Sequence, residues 1–165
     1  IKVRKDNPIF HRRRFFNGRK MEDNTLGDIL WINATGTEMT QADWSNARTG
    51  SLGMILNGEA MIEFDEQGSP IKDDIFLLIL NAWREGVNFN LPGVKNLTHW
   101  ECAINTEKDS IPVDTETPAN TELTLAPRSL SLYRLKNMEA NETPKGKRMV
   151  NIVHQVRRSS VVIPE

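Results

Sequence analysis

The chain has 165 residues, 38% of them apolar and 26% charged, enough for one domain with its own core, with or without a tail. Its longest unbroken apolar run, Ile75–Leu80, falls far short of the roughly 20 residues of a membrane helix, and a lone cysteine, Cys102, excludes an internal disulfide framework and favours a reducing compartment. The net charge of −1 is unevenly spread: residues 1–20 carry eight Lys/Arg and one Asp (+7), residues 21–127 five Lys/Arg and eighteen Asp/Glu (−13), and residues 128–165 eight Lys/Arg and three Glu (+5).

The chain opens Ile1-Lys2-Val3-Arg4, without Met or an apolar signal region, which predicts a piece of a larger protein. Residues 6–17 read as a short helix: Asp6 or Asn7 caps it, Pro8 suits the first turn, and Asn17-Gly18 suits the stop. Asp28–Asn33 is a short apolar strand. Thr40 and Asp43 have the spacing of a capping box, which predicts a helical turn over 41–47. Leu52–Leu56 is the next strand. Ala60, Ile62 and Phe64 alternate with Met61 and Glu63, the period of a half-buried strand. Gln67-Gly68-Ser69-Pro70 breaks the chain.

Ile75–Leu80 has the length and composition of a central strand buried on both faces, with Phe76, Leu78 and Leu80 on one side and Ile75, Leu77 and Ile79 on the other. Val87, Phe89 and Leu91 alternate up to Pro92-Gly93. Trp100, Cys102 and Ile104 form another alternating set, followed by Leu123 with Leu125 and by Leu130 with Leu132. Residues 106–122 are polar and acidic, either a long loop or a weak strand pair. Residues 137–148 read as a linker, and 149–163 offer further edge strands. About eight short strands with turn signals between them predict an all-β, antiparallel β-sandwich preceded by a short helix.

Few residues suggest chemistry. His11, His99 and His154 share no metal or catalytic spacing, Ser51 lacks the GxSxG setting, and no Walker or Rossmann glycine pattern occurs. Neither a catalytic group, a cofactor site nor a metal site is therefore assigned. Asp65-Glu66 and Asp73-Asp74 read either as a cation or acid/base site or as solvated charges guarding strand ends; the second is favoured. Arg12-Arg13-Arg14 could meet nucleic acid, or could be a solvated helix face or an arm that pairs with the acidic middle of the chain; without a nucleic-acid motif the latter readings are again favoured. Three N-glycosylation patterns begin at Asn33, Asn96 and Asn141, and the single cysteine argues against their use. Among the four tryptophans, Trp31 and Trp100 sit in strand patterns and read as core. Trp83 and Trp44 sit near element ends; packing in a core or interface is still the favoured reading there, with an exposed ring that stacks on a sugar as the alternative.

Several words in order carry a family resemblance: His11-Arg12-Arg13-Arg14-Phe15-Phe16-Asn17-Gly18, Asp28-Ile29-Leu30-Trp31, Gly36-Thr37-Glu38-Met39-Thr40 with Asp43-Trp44, and Ser51-Leu52-Gly53. They continue through Asp65-Glu66-Gln67-Gly68-Ser69-Pro70, Asp73-Asp74 before Phe76-Leu77-Leu78, Asn81-Ala82, and Val87-Asn88-Phe89-Asn90-Leu91-Pro92. From about residue 7 to about 135 the chain resembles the C-terminal end of isoamylase-type glycogen debranching enzymes, of the α-amylase clan of glycoside hydrolases. That resemblance implies a catalytic (β/α)8 barrel elsewhere, which cleaves α-1,6 branches with an Asp nucleophile and a Glu acid/base. It divides the chain into 1–25, a terminal helix and linker of the barrel; 26–136, the sandwich; and 137–165, a linker and extension. The implied partners are a branched α-glucan and the enzyme's own barrel, in the cytoplasm, with no nucleic acid or membrane. Self-association through residues 1–20 is expected of an interface without its partner. The alternative is a glucan-binding module using Trp83 and Trp44. Trp83-Arg84-Glu85-Gly86 departs from the His pair expected at that loop, and residues 138–165 match nothing expected.

Overall fold

The computed structural model describes residues 1–18, 26–93, 98–107 and 115–137. The expected edge strands in 149–163 and the linker beyond Asn137 lie outside them, as do two of the glycosylation patterns, His154 and part of the acidic stretch.

Helix α1, Lys2–Asp6, is followed by a 3-10 turn at Pro8–Phe10. The helix expected over 6–17 is thus displaced and shortened. Asn7, which precedes Pro8, is extended at φ −126°, ψ 106°, because the proline ring disfavours a helical residue before it. The Asn7 side chain then donates to the Val3 carbonyl at 2.7 Å. Past the turn, the amides of Arg13 and Arg14 donate to Glu63, and those of Asn17 and Gly18 to Asp28. These bonds hold 13–18 as an extended strap.

The strands are β1 (Ile29–Ile32), β2 (Ser51–Asn57), β3 (Ile75–Asn81), β4 (Val87–Asn90), β5 (Thr98–Asn105), β6 (Glu116–Pro118), β7 (Glu122–Leu125) and β8 (Ser129–Asn137). Between β1 and β2 lies α2, Gln41–Ser45, closed by the reciprocal Thr40–Asp43 capping box. Six strands form an antiparallel sheet in the order β1-β2-β3-β8-β5-β6, and β4 pairs with β7 as a separate ribbon. The weak strand pair in the acidic stretch resolves as β6, which pairs with β5.

β3 lies inside the sheet, and its two faces divide as the alternation predicts. Ile75, Leu77 and Ile79 face an inner core with Ile55, Trp100 and Tyr133, closed by Phe89 and Leu125 from the ribbon. Where the ribbon presses down, a Cβ on Gly53 would lie 2.9 Å from the Phe89 ring and 2.6 Å from Ile32, so only glycine fits there. Phe76 faces the outer side, where Ile9 and Phe10 cover it together with Leu56 and Met61.

The strand expected at 60–64 does not form. Gly58 exchanges backbone bonds with Asp73 and Asp74 instead, and the chain turns through Gly58–Ala60. Ala60 and Met61 are both buried, at 3% and 2% exposure, while Ile62 and Phe64 are exposed, so the expected alternation is absent.

Candidate functional site

Of the clustered carboxylates, Asp65, Asp73 and Asp74 have partners within the chain. Asp65 accepts the amides of Gln67 and Ser69 at 2.9 and 2.8 Å, which closes the Gly68 turn. Asp73 accepts the Ile9 amide at 2.9 Å and the Asp74 amide at 2.8 Å. Burial raises the Asp73 carboxyl above its ordinary range against the pull of those amides. Asp74 faces Arg134 at 3.9 Å, and Arg134 and Lys136 both approach Glu101. Among the described residues no group of three or more His, Cys, Asp or Glu could hold a metal ion.

Of the basic run, Arg12 turns inward, while Arg13 and Arg14 are exposed. The Arg12 guanidinium lies over the Phe16 ring at 4.2 Å and pairs with Asp28 at 3.1 Å, both side chains almost wholly buried. Asn33 directs its side chain into its own turn, accepting from Thr35 and Thr37.

A groove of about 350 Å³ opens between the ribbon and the sheet, bounded by Cys102, Ser131, Tyr133, Thr124 and Leu125. Burial pushes the Tyr133 phenol up to about 12, and nearby Cys102 adds to the shift. Its wall offers hydroxyls and apolar surface without a paired acid and nucleophile.

The two singled-out tryptophans occupy different settings. Trp44, on α2, meets Trp31 edge-to-face at 5.7 Å and 77°. Trp31 pairs in register with Met54, which lies on the outer face, so that ring is half-buried on the sheet rather than in the core. Trp100 is buried at 1% exposure, its indole donating to the Pro92 carbonyl at 3.1 Å. Trp83 follows β3 and rests on Gly50. A Cβ built on Gly50 would lie 2.0 Å from Nε1 and 2.3 Å from both flanking carbons. An approach in the ring plane would leave those carbons markedly farther than the nitrogen, so Gly50 lies under the ring face.

Sequence reading missed the residues that fix this loop. Asn81, buried at the end of β3, accepts the Trp83 amide at 2.9 Å and donates to the carbonyls of Glu85 and Ala126, each at 2.9 Å. Arg128 donates its amide to the Trp83 carbonyl at 2.9 Å. An asparagine closing an apolar strand was the available signal.

The family model for the isoamylase C-terminal domain matches residues 28–136, which reaches from the start of β1 to the penultimate residue of β8. The chain belongs to the isoamylase C-terminal family. Among curated proteins it is similar to the glycogen operon protein GlgX homolog of Mycobacterium bovis (strain ATCC BAA-935 / AF2122/97) and to that of Mycobacterium tuberculosis (strain CDC 1551 / Oshkosh). Each is 32% identical over 133 residues, which is 80% of this chain and 18% of the relative. This isoamylase C-terminal chain thus spans under a fifth of the length of those relatives. Among solved structures, the trehalulose synthase MutB from Pseudomonas mesoacidophila MX-45 aligns with a TM-score of 0.35 and 18% identity, over 55% of this chain and 13% of that one; a likeness this slight carries no argument. Among the described residues no helix is long and apolar enough to cross a membrane.

Proposed function

We propose that this chain is the non-catalytic C-terminal sandwich of a cytoplasmic debranching hydrolase that cleaves α-1,6 linkages in glycogen or a related glucan. Its role is to brace a catalytic barrel and to help frame the substrate. Residues 1–25 lead out of the barrel, 26–136 form the sandwich, and 137–165 are a linker and extension. The kinship with glycogen operon proteins supports the substrate class.

The observation that carries the bracing role is the outer face of the six-stranded sheet. Ile9 and Phe10 cover it around Leu56 and Phe76. Beyond them Trp31, Leu52, Met54, Leu78, Leu80 and Leu130 are only half-buried. An apolar surface of this extent beside the arriving arm suits a large partner. In the parent enzyme, Met54→Glu in the middle of this face should lower the temperature at which debranching activity is lost. The same substitution in the chain alone should cost about 1 kcal/mol or less, because the position is already partly open. Unchanged heat inactivation of the parent would remove the bracing role.

Self-association belongs to the same reading. Phe15, Phe64 and Ile62 are 96%, 61% and 45% exposed, on the strap and the hairpin that Glu63 joins.

A further inference from the structure

Trp83 has the geometry of a preformed stacking platform. One ring face lies on Gly50, where no side chain could intervene. The residue is nevertheless 42% exposed, so much of the indole that Gly50 does not cover meets solvent. Its backbone is bound on both sides, through its amide to Asn81 and its carbonyl to Arg128. The Gly50 carbonyl in turn accepts the Ala82 amide at 2.8 Å. A ligand meeting this ring would therefore pay little ordering entropy.

The rim is polar. Arg84 and Glu85, both 80% exposed and 3.8 Å apart, follow Trp83 directly in the chain, and Arg128, which is also exposed, is held to it by the bond from its amide to the Trp83 carbonyl. They offer donors and an acceptor around an apolar plate. A pyranose has the complementary surface: a C–H face that meets the π cloud, with hydroxyls around its edge.

We infer that Trp83 and its rim form a binding site for a single glucose unit of an α-glucan chain. The ligand class rests on the debranching reading; the stacking site rests on the geometry. A flat β-linked ribbon gains most from a row of coplanar rings. Among the described residues no second aromatic ring stacks with Trp83, and a curved α-linked chain presents one sugar at a time. Trp44, placed against Trp31 and beside the half-covered outer face, belongs instead to the surface that meets the barrel.

Titrating the chain with maltoheptaose, read by tryptophan fluorescence and calorimetry, tests the site. Binding should saturate in about the millimolar range, as expected for one stacked sugar. Trp83→Ala should weaken it about ten-fold or more, Trp83→Phe should restore part of it, and Trp44→Ala should leave it unchanged. Gly50→Ala, which drives a carbon into the ring, should also weaken it, with circular dichroism confirming that the strands persist. Undiminished affinity in Trp83→Ala, or no saturable signal well above the millimolar range, overturns the site. Equal affinity for cellohexaose overturns its preference for α-linked chains. Each of these results leaves the debranching reading standing, since heat inactivation of the parent tests that separately.

Discussion

Asp28 ties the amino-terminal strap to the sandwich. It accepts the Asn17 and Gly18 amides and pairs with a guanidinium that is itself buried. Removing it strands the Arg12 charge in a site with little water, and the cost of breaking a buried pair exceeds the net value of the pair. Asp28→Ala should therefore lose about 3–5 kcal/mol in urea unfolding. A second residue reports on the groove. Tyr133 is the only tyrosine, so tyrosinate absorbance reads it directly. Its ordinary value of 10.0 rises to about 12 in the fold, because burial favours the neutral phenol. The stability it contributes is fully present below pH 10 and is lost as pH climbs through about 12. The native chain should titrate near 12 and the urea-unfolded chain near 10; coincident midpoints would mean that the ring is solvated.

The central strand was the most legible element, because six consecutive apolar residues between turn signals suit a strand inside a sheet. Its two faces are unequal in a way the residue pattern could not show. Phe76 is fully buried and meets Phe10 at 4.7 Å, while Leu78, two residues on, is only half-buried. Phe76→Ala should cost about 3–5 kcal/mol, and Leu78→Ala under about 2 kcal/mol, in the same urea measurement. The capping box of α2 was also legible, since it depends on two side chains three residues apart. The helix over 6–17 was not, because the amides of Ile9, Arg13, Arg14 and Asn17 bond to the side chains of Asp73, Glu63 and Asp28; nor was the absence of a strand over 60–64, which follows a turn where Gly58 exchanges backbone bonds with Asp73 and Asp74, partners that local pattern cannot reveal. Trp83 was visible as an end-of-strand aromatic, but its flat seat on Gly50 depends on a contact across the sheet end. Trp31 read as core because its strand is apolar, yet its register places it on the outer face.

For the molecule as a whole, the inner core makes a closed sandwich while the outer face and the strap leave apolar surface uncovered. Phe15 stands almost free, and burying such a ring returns roughly 1.5–3 kcal/mol. Phe15→Ser should therefore lower the dimer fraction seen by ultracentrifugation, with the sheet intact; an unchanged fraction would move any self-association elsewhere. The uneven charge has a structural use at this scale: Arg12 of the basic start pairs with Asp28 of the acidic middle, and the neighbouring strap amides bond to Glu63. On the proposed function, this sandwich supports a debranching reaction whose reacting groups lie outside it. The most direct measurement is the release of linear chains from glycogen by the chain alone and by the full-length parent. The parent should release them and the chain alone should match a buffer blank. Release by the chain alone that survives repurification, or a parent inactive on branched glucan, would contradict the proposed function.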